Sequence, residues 1–157
     1  MGMYCDLMAV DQDNLLRLLV EPESVGAILD DDSRPSVDLQ KSWHGLHYLL
    51  NGSGIGGEPP LDFLLVGGEP IGEDDSGIRL LRPDDVRRLA EALDAIDDAR
   101  LWGRFDPGAM VEEGIYPNIW DEPAADLREE YTGYFRDLKA FLHQASDDGM
   151  AVVITIA

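Results

Sequence analysis

The sequence predicts an α+β fold: a single compact domain over residues 1–157, with a small sheet containing the N- and C-terminal strands packed against several helices. Three observations lead there. Strand-sized apolar runs stand at both ends, Met3 to Val10 and Met150 to Ile156. Between them lie segments whose apolar residues recur at helical spacing. The regular β-α-β alternation of a doubly wound sheet is missing. A length of 157 residues suits one domain with a real core.

After the first strand, Asp11 caps a helix carrying Leu15, Leu16, Leu18 and Leu19. Pro22 interrupts it, and Ser24 caps a short turn through Ile28. Asp30 to Pro35 is a polar loop. The spacing then predicts a helix from Val37 to Leu50. At about 100° per residue, Leu39, Trp43, Leu46 and Leu50 fall on one narrow stripe. Asn51-Gly52 is its stop.

Residues 52–77 are rich in Gly and Pro, with one apolar piece from Leu61 to Val66. This longest irregular region is the expected binding loop or lid. Ile78 to Leu81 reads as a short strand. Pro83 opens a helix bearing Val86, Leu89, Leu93 and Ile96. Leu101 to Pro117 reads as short helical turns, with Asp106-Pro107 as a cap and first-turn pair. Trp120 to Pro123 leads into the last helix, whose apolar face runs from Leu127 through Tyr131, Phe135, Leu138 and Leu142 to Ala145. Asp147-Asp148-Gly149 ends it. The β-branched run to Ile156 reads as a buried strand.

Twelve basic residues stand against 32 acidic ones, a net charge of -20. Such a surface repels nucleic acid and anionic membranes and favours cations or a basic protein partner. Solvation alone accounts for the same composition. No apolar run reaches the roughly 18 residues that span a bilayer. Asp6, Asp11 and Asp13 interrupt the place of a signal peptide. The single cysteine, Cys5, excludes an internal disulfide and fits a cytoplasmic setting.

His44 and His47, three residues apart, face one side of a helix. Either suits proton transfer or ligand anchoring near neutral pH. The competing reading makes His47 a hydrogen-bonded boundary residue and His44 a surface one. No His-Glu-x-x-His signature is present, and neither a metal nor a cofactor is expected. His143, late in the last helix, faces the helix C-terminal dipole.

The loop Gly52-Ser53-Gly54-Ile55-Gly56-Gly57 lacks the Gly-Lys-Ser/Thr of a phosphate loop. The clusters Asp30-Asp31-Asp32 and Glu73-Asp74-Asp75 lack the offsets of a calcium loop. Asn51 breaks a nucleophile elbow around Ser53. Asp6 beside Cys5 opposes activation of the thiol. Glu112-Glu113 reads as a solvated turn or a general base. Tyr116-Pro117-Asn118-Ile119-Trp120 suits one wall of a pocket or pins an irregular segment to the core.

Met1-Gly2-Met3 before a strand, then Lys41-x-Trp43-His44-x-Leu46-His47-x-Leu49-Leu50-x-Gly52, then Ile115-Tyr116-Pro117-x-x-Trp120 occur in that order. The aromatic helix and terminal apolar strand follow. Together they resemble the YfbM-like family, a bacterial family of unknown function, over nearly the whole chain. The resemblance implies a single-domain α+β fold in a bacterial cytoplasm. It brings no catalytic residues to transfer. It does group Trp43, His44, His47, Tyr116 and Trp120 as one candidate ligand-binding site. The chain is more acidic than the family pattern, and its 52–77 region is glycine-rich.

Two functions are consistent with these readings. The first is a non-enzymatic binding protein for a basic protein partner, in the manner of bacterial immunity proteins. The alternative is an enzyme or small-ligand binder with a pocket between the His44/His47 helix edge and the Tyr116–Trp120 segment. Oligomeric state is not legible.

Overall fold

The computed structural model describes residues 2–31, 33–72 and 77–157. Met1, Asp32 and the Glu73-Asp74-Asp75 cluster lie outside the described residues. Five strands form one antiparallel sheet in the order β2-β1-β5-β4-β3. They are β1 (Cys5–Val10), β2 (Ser36–Gln40), β3 (Glu69–Pro70), β4 (Ile78–Leu81) and β5 (Ala151–Ile156). The two terminal strands pair along their full length, from Cys5 opposite Ile156 to Val10 opposite Ala151.

Strand alternation sorts the apolar residues between two faces. Cys5, Leu7, Ala9, Val152, Ile154 and Leu81 point to one side. There they meet α3 (Trp43–Asn51), α4 (Pro83–Asp94) and the long α7 (Ala124–Asp147). Val10, Leu80, Ala151 and Val153 point to the other side, under α1 (Gln12–Val20) and α2 (Val25–Leu29). Central β5 is therefore covered on both faces, which is why its sequence is a near-continuous apolar run rather than an alternating one. Two short helices, α5 (Asp98–Trp102) and α6 (Pro107–Glu112), carry the chain from α4 towards α7.

Local signals account for most boundaries. Asp11 accepts from Asn14 N–H and caps α1, and Asp106 accepts from Ala109 N–H and caps α6. Gly52, at φ 74°, closes α3 in the left-handed region that a Cβ disfavours.

Four expectations need correction. The helix predicted from Val37 to Leu50 is two elements, β2 and then α3. Residues 36–40 pair with the otherwise open edge of β1, and Leu39 enters the core from this strand rather than from a helix. A register shift opposite Cys5 and Asp6 carries Gln40 to φ 49°. Asp38 steadies that bend by accepting Gln40 N–H at 2.8 Å. Ser24 precedes α2 but makes no side-chain cap bond. Leu16 and Leu19 stay exposed, so α1 buries only Leu15 and Leu18. His143 lies 3.4 Å from each of Asp94 and Asp147, so it answers two carboxylates rather than only a helix end.

Candidate functional site

The α3 helix carries three side chains that reach out and hold irregular backbone. His44 Nδ1 accepts the Tyr116 N–H at 2.9 Å. A backbone donor there requires a bare Nδ1, so the ring proton sits on Nε2 and is donated to Gly54 O at 2.8 Å. His47 is fully buried, and its Nε2 donates to Gly56 O at 2.9 Å. One turn on, Asn51 Nδ2 donates to Leu61 O at 2.9 Å and to His47 O at 3.0 Å. Burial holds the His47 pKa below its ordinary value. The Gly56 bond opposes that shift, His44 adds to it, and Asp62 opposes it weakly.

Further anchors come from outside α3. Glu113 accepts Gly54 N–H at 3.1 Å, so this carboxylate holds the loop instead of standing in a free turn. Arg79, the one charge in the apolar strand β4, donates to Phe63 O at 2.7 Å, Leu64 O at 2.8 Å and Gly67 O at 2.5 Å. Segment 54–67 has no strand or helix to satisfy its carbonyls. These side chains take over that task.

The aromatic residues form two groups. Trp43 stacks on His44 with ring centroids 5.3 Å apart, and Tyr116 lies 5.7 Å from Trp43. Trp43 Nε1 donates to Met3 O at 3.0 Å, and Met3 N–H donates to the Tyr116 hydroxyl at 2.9 Å. Trp120 is buried behind this stack, 5.4 Å from the Tyr131 ring, and donates to Ile115 O at 2.8 Å. Gly45 makes the second group possible. A Cβ there would lie 2.6 Å from both Trp120 and Tyr131. The structure thus joins Trp43, His44 and Tyr116 in one stack. His47 serves the glycine-rich loop, and Trp120 belongs with Tyr131.

The pinned loop walls a groove along α4. One part, about 530 Å³, lies between Pro60, Asp62, Phe63 and Glu69 on the loop side and Asp85, Arg88 and Leu89 on α4. A second part, about 410 Å³, continues past Pro59 and Pro60 to Glu58, Ala92 and Arg104. The groove lining sets four carboxylates, Glu58, Asp62, Glu69 and Asp85, and two guanidiniums, Arg88 and Arg104, among apolar side chains. A separate cleft of about 420 Å³ is lined by Tyr4, Gln40, Lys41, Ser42, Pro117, Ile119, Glu130, Tyr131 and Tyr134. It adjoins the predicted site residues without being lined by any of the five.

Sequence reasoning passed over Arg79, Asn51, Lys41, Glu130 and Tyr131 as site residues. Arg79 carried a signal, a lone charge within a four-residue apolar strand. Tyr131 was legible only as core.

Cys5 is buried, and burial pushes its thiol up to about 12. Arg79 opposes this, and Asp6 and Asp38 add to it. Such a thiol is no nucleophile. Among the described residues, no group of three His, Cys, Asp or Glu side chains is arranged to hold a metal ion. Among the described residues, no helix is long and apolar enough to cross a membrane.

The fold has a relative of known structure. It is similar to YfbM from Escherichia coli, described as a protein of unknown function, with a TM-score of 0.78 over 98% of this chain and 99% of that one. At 18% identity this likeness concerns the fold alone. No curated protein matches the sequence. The family described as a domain of unknown function, DUF1877, matches residues 1–155, and the chain belongs to that family.

Proposed function

We propose that the protein is a non-enzymatic binding protein that takes a basic segment of a protein partner into the groove between the 57–69 loop and α4. The observation that carries this reading is the pinning of an irregular loop by His44, His47, Asn51 and Arg79. A wall fixed in advance loses little entropy on binding, and that favours affinity. Charge supports the polarity of the partner. Glu58 and Asp62 have no ion-pair partner among the described residues, whereas Arg88 is already matched to Asp85 at 3.4 Å. The net charge of -20 would steer a basic partner to the surface and make association salt-sensitive.

In this reading His44 and His47 are pins, not acid–base groups. Trp43, Tyr116 and Trp120 form the layer that keeps α3 and its loops in register. The same proposal places the protein in a bacterial cytoplasm, which the lone free thiol supports.

Selection of peptides from a random library on the immobilised protein at low salt tests the proposal. Bound peptides are expected to be enriched in Lys and Arg beside apolar residues. A double variant, Asp62→Asn with Asp85→Asn, is expected to weaken them about tenfold, while Asp121→Asn with Asp126→Asn changes little. Peptides without basic enrichment, or equal loss in both variants, would contradict it.

A further inference from the structure

We propose that the cleft between the 40–42 turn, the 117–119 segment and α7 binds a free α-amino acid with an apolar side chain, its carboxylate against Lys41 and its ammonium against Glu130. This cleft is separate from the groove along α4, so the inference stands or fails apart from the partner-binding proposal.

Four observations carry it. The volume, about 420 Å³, lies in the range of small-molecule sites. Lys41 and Glu130 both line the cleft, yet neither has an ion-pair partner among the described residues. Among the described residues the Lys41 ammonium has only the Tyr4 ring, 5.6 Å from its centroid. Tyr131 is 1% exposed and lines the same cleft, and its hydroxyl has no hydrogen-bond partner among the described residues. Unlike the sealed Ser24 Oγ, this oxygen is not closed off from solvent, so it is open to a ligand in the cleft.

The charges select the ligand class. A simple anion meets Glu130, and a simple cation meets Lys41. A zwitterion satisfies both, and its two ends are separated by only a few bonds. Glu130 has a further reason to accept an ammonium: partial desolvation and the neighbouring Glu122 push its carboxyl pKa up, a cost that a cation beside it relieves. Beside the polar Gln40 and Ser42, Pro117, Ile119 and the tyrosine rings offer apolar surface to a side chain.

Titration of the whole protein, followed by backbone-amide NMR, decides the matter. The probes are L-phenylalanine, L-leucine, glycine, N-acetyl-L-phenylalanine and L-phenylalaninamide. Saturable shifts centred on residues 41, 130 and 131 are expected with phenylalanine or leucine. Glycine and both blocked derivatives are expected to bind at least about tenfold more weakly. Lys41→Met and Glu130→Gln alter exposed side chains, so each should keep the wild-type melting temperature while losing affinity about tenfold. Asp62→Asn with Asp85→Asn should leave the titration unchanged. Absence of saturable shifts with phenylalanine and leucine would overturn the inference. So would equal binding of the blocked derivatives.

Discussion

The Tyr116 backbone N–H donates to His44 Nδ1 at 2.9 Å, across 72 positions of sequence. The opposite nitrogen of the same ring donates to Gly54 O at 2.8 Å. One neutral imidazole therefore ties the glycine-rich loop and the Tyr116–Trp120 segment to α3. Both ring nitrogens are thus engaged in holding backbone.

His44→Ala leaves the Tyr116 N–H and the Gly54 carbonyl without partners in a half-buried site. Stability is expected to fall by about 1–3 kcal/mol in urea unfolding, and the Trp43 fluorescence environment to change with it.

His47 predicts a pH dependence. Its folded-state pKa is depressed, chiefly by burial. Below the ordinary value of about 6.5 the unfolded chain takes a proton that the folded chain refuses, so stability falls as pH drops through that value. Above it the contribution is fully present. Melting temperatures of wild type and His47→Gln between pH 8 and pH 5 should converge towards the acid end. Parallel curves would show that His47 does not carry the dependence.

Much of the sheet was legible because the signals are local. The run from Met150 to Ile156 could only be a strand, and Asp106-Pro107 could hardly avoid opening a helix. Leu39 misled for a physical reason. Its spacing to Trp43, Leu46 and Leu50 mimics a helical stripe, while the edge of β1 that claims residues 36–40 is remote in sequence. The site was legible in its residues but not in their task. His44, His47 and Arg79 act on backbone carbonyls, and a carbonyl leaves no signature in the residue that bears it. Lys41 and Glu130 stand 89 positions apart, and only the fold brings them to one cleft.

Gly45→Ala should destabilise by about 1–3 kcal/mol, because the added Cβ meets two packed aromatic rings. Gly133→Ala, within α7 and with open space for 4 Å around the place its methyl would take, should stabilise by about 0.5–1 kcal/mol. Opposite signs in chemical denaturation separate packing from helix propensity.

Ser24 is buried, and its Oγ has no hydrogen-bond partner among the described residues. Ser24→Ala removes an unsatisfied hydroxyl and is expected to raise stability by about 1 kcal/mol. A loss in thermal melting of that variant would show that the hydroxyl has a partner in solution.

The central claim is that side chains from α3 and β4 hold an irregular loop rigid enough to wall a groove. Backbone 15N relaxation across residues 54–67 tests it most directly. Order parameters near the rigid value of about 0.85 are expected in the wild type, with a fall across the loop in Arg79→Gln and His47→Gln. Values below about 0.6 in the wild-type loop would contradict the account.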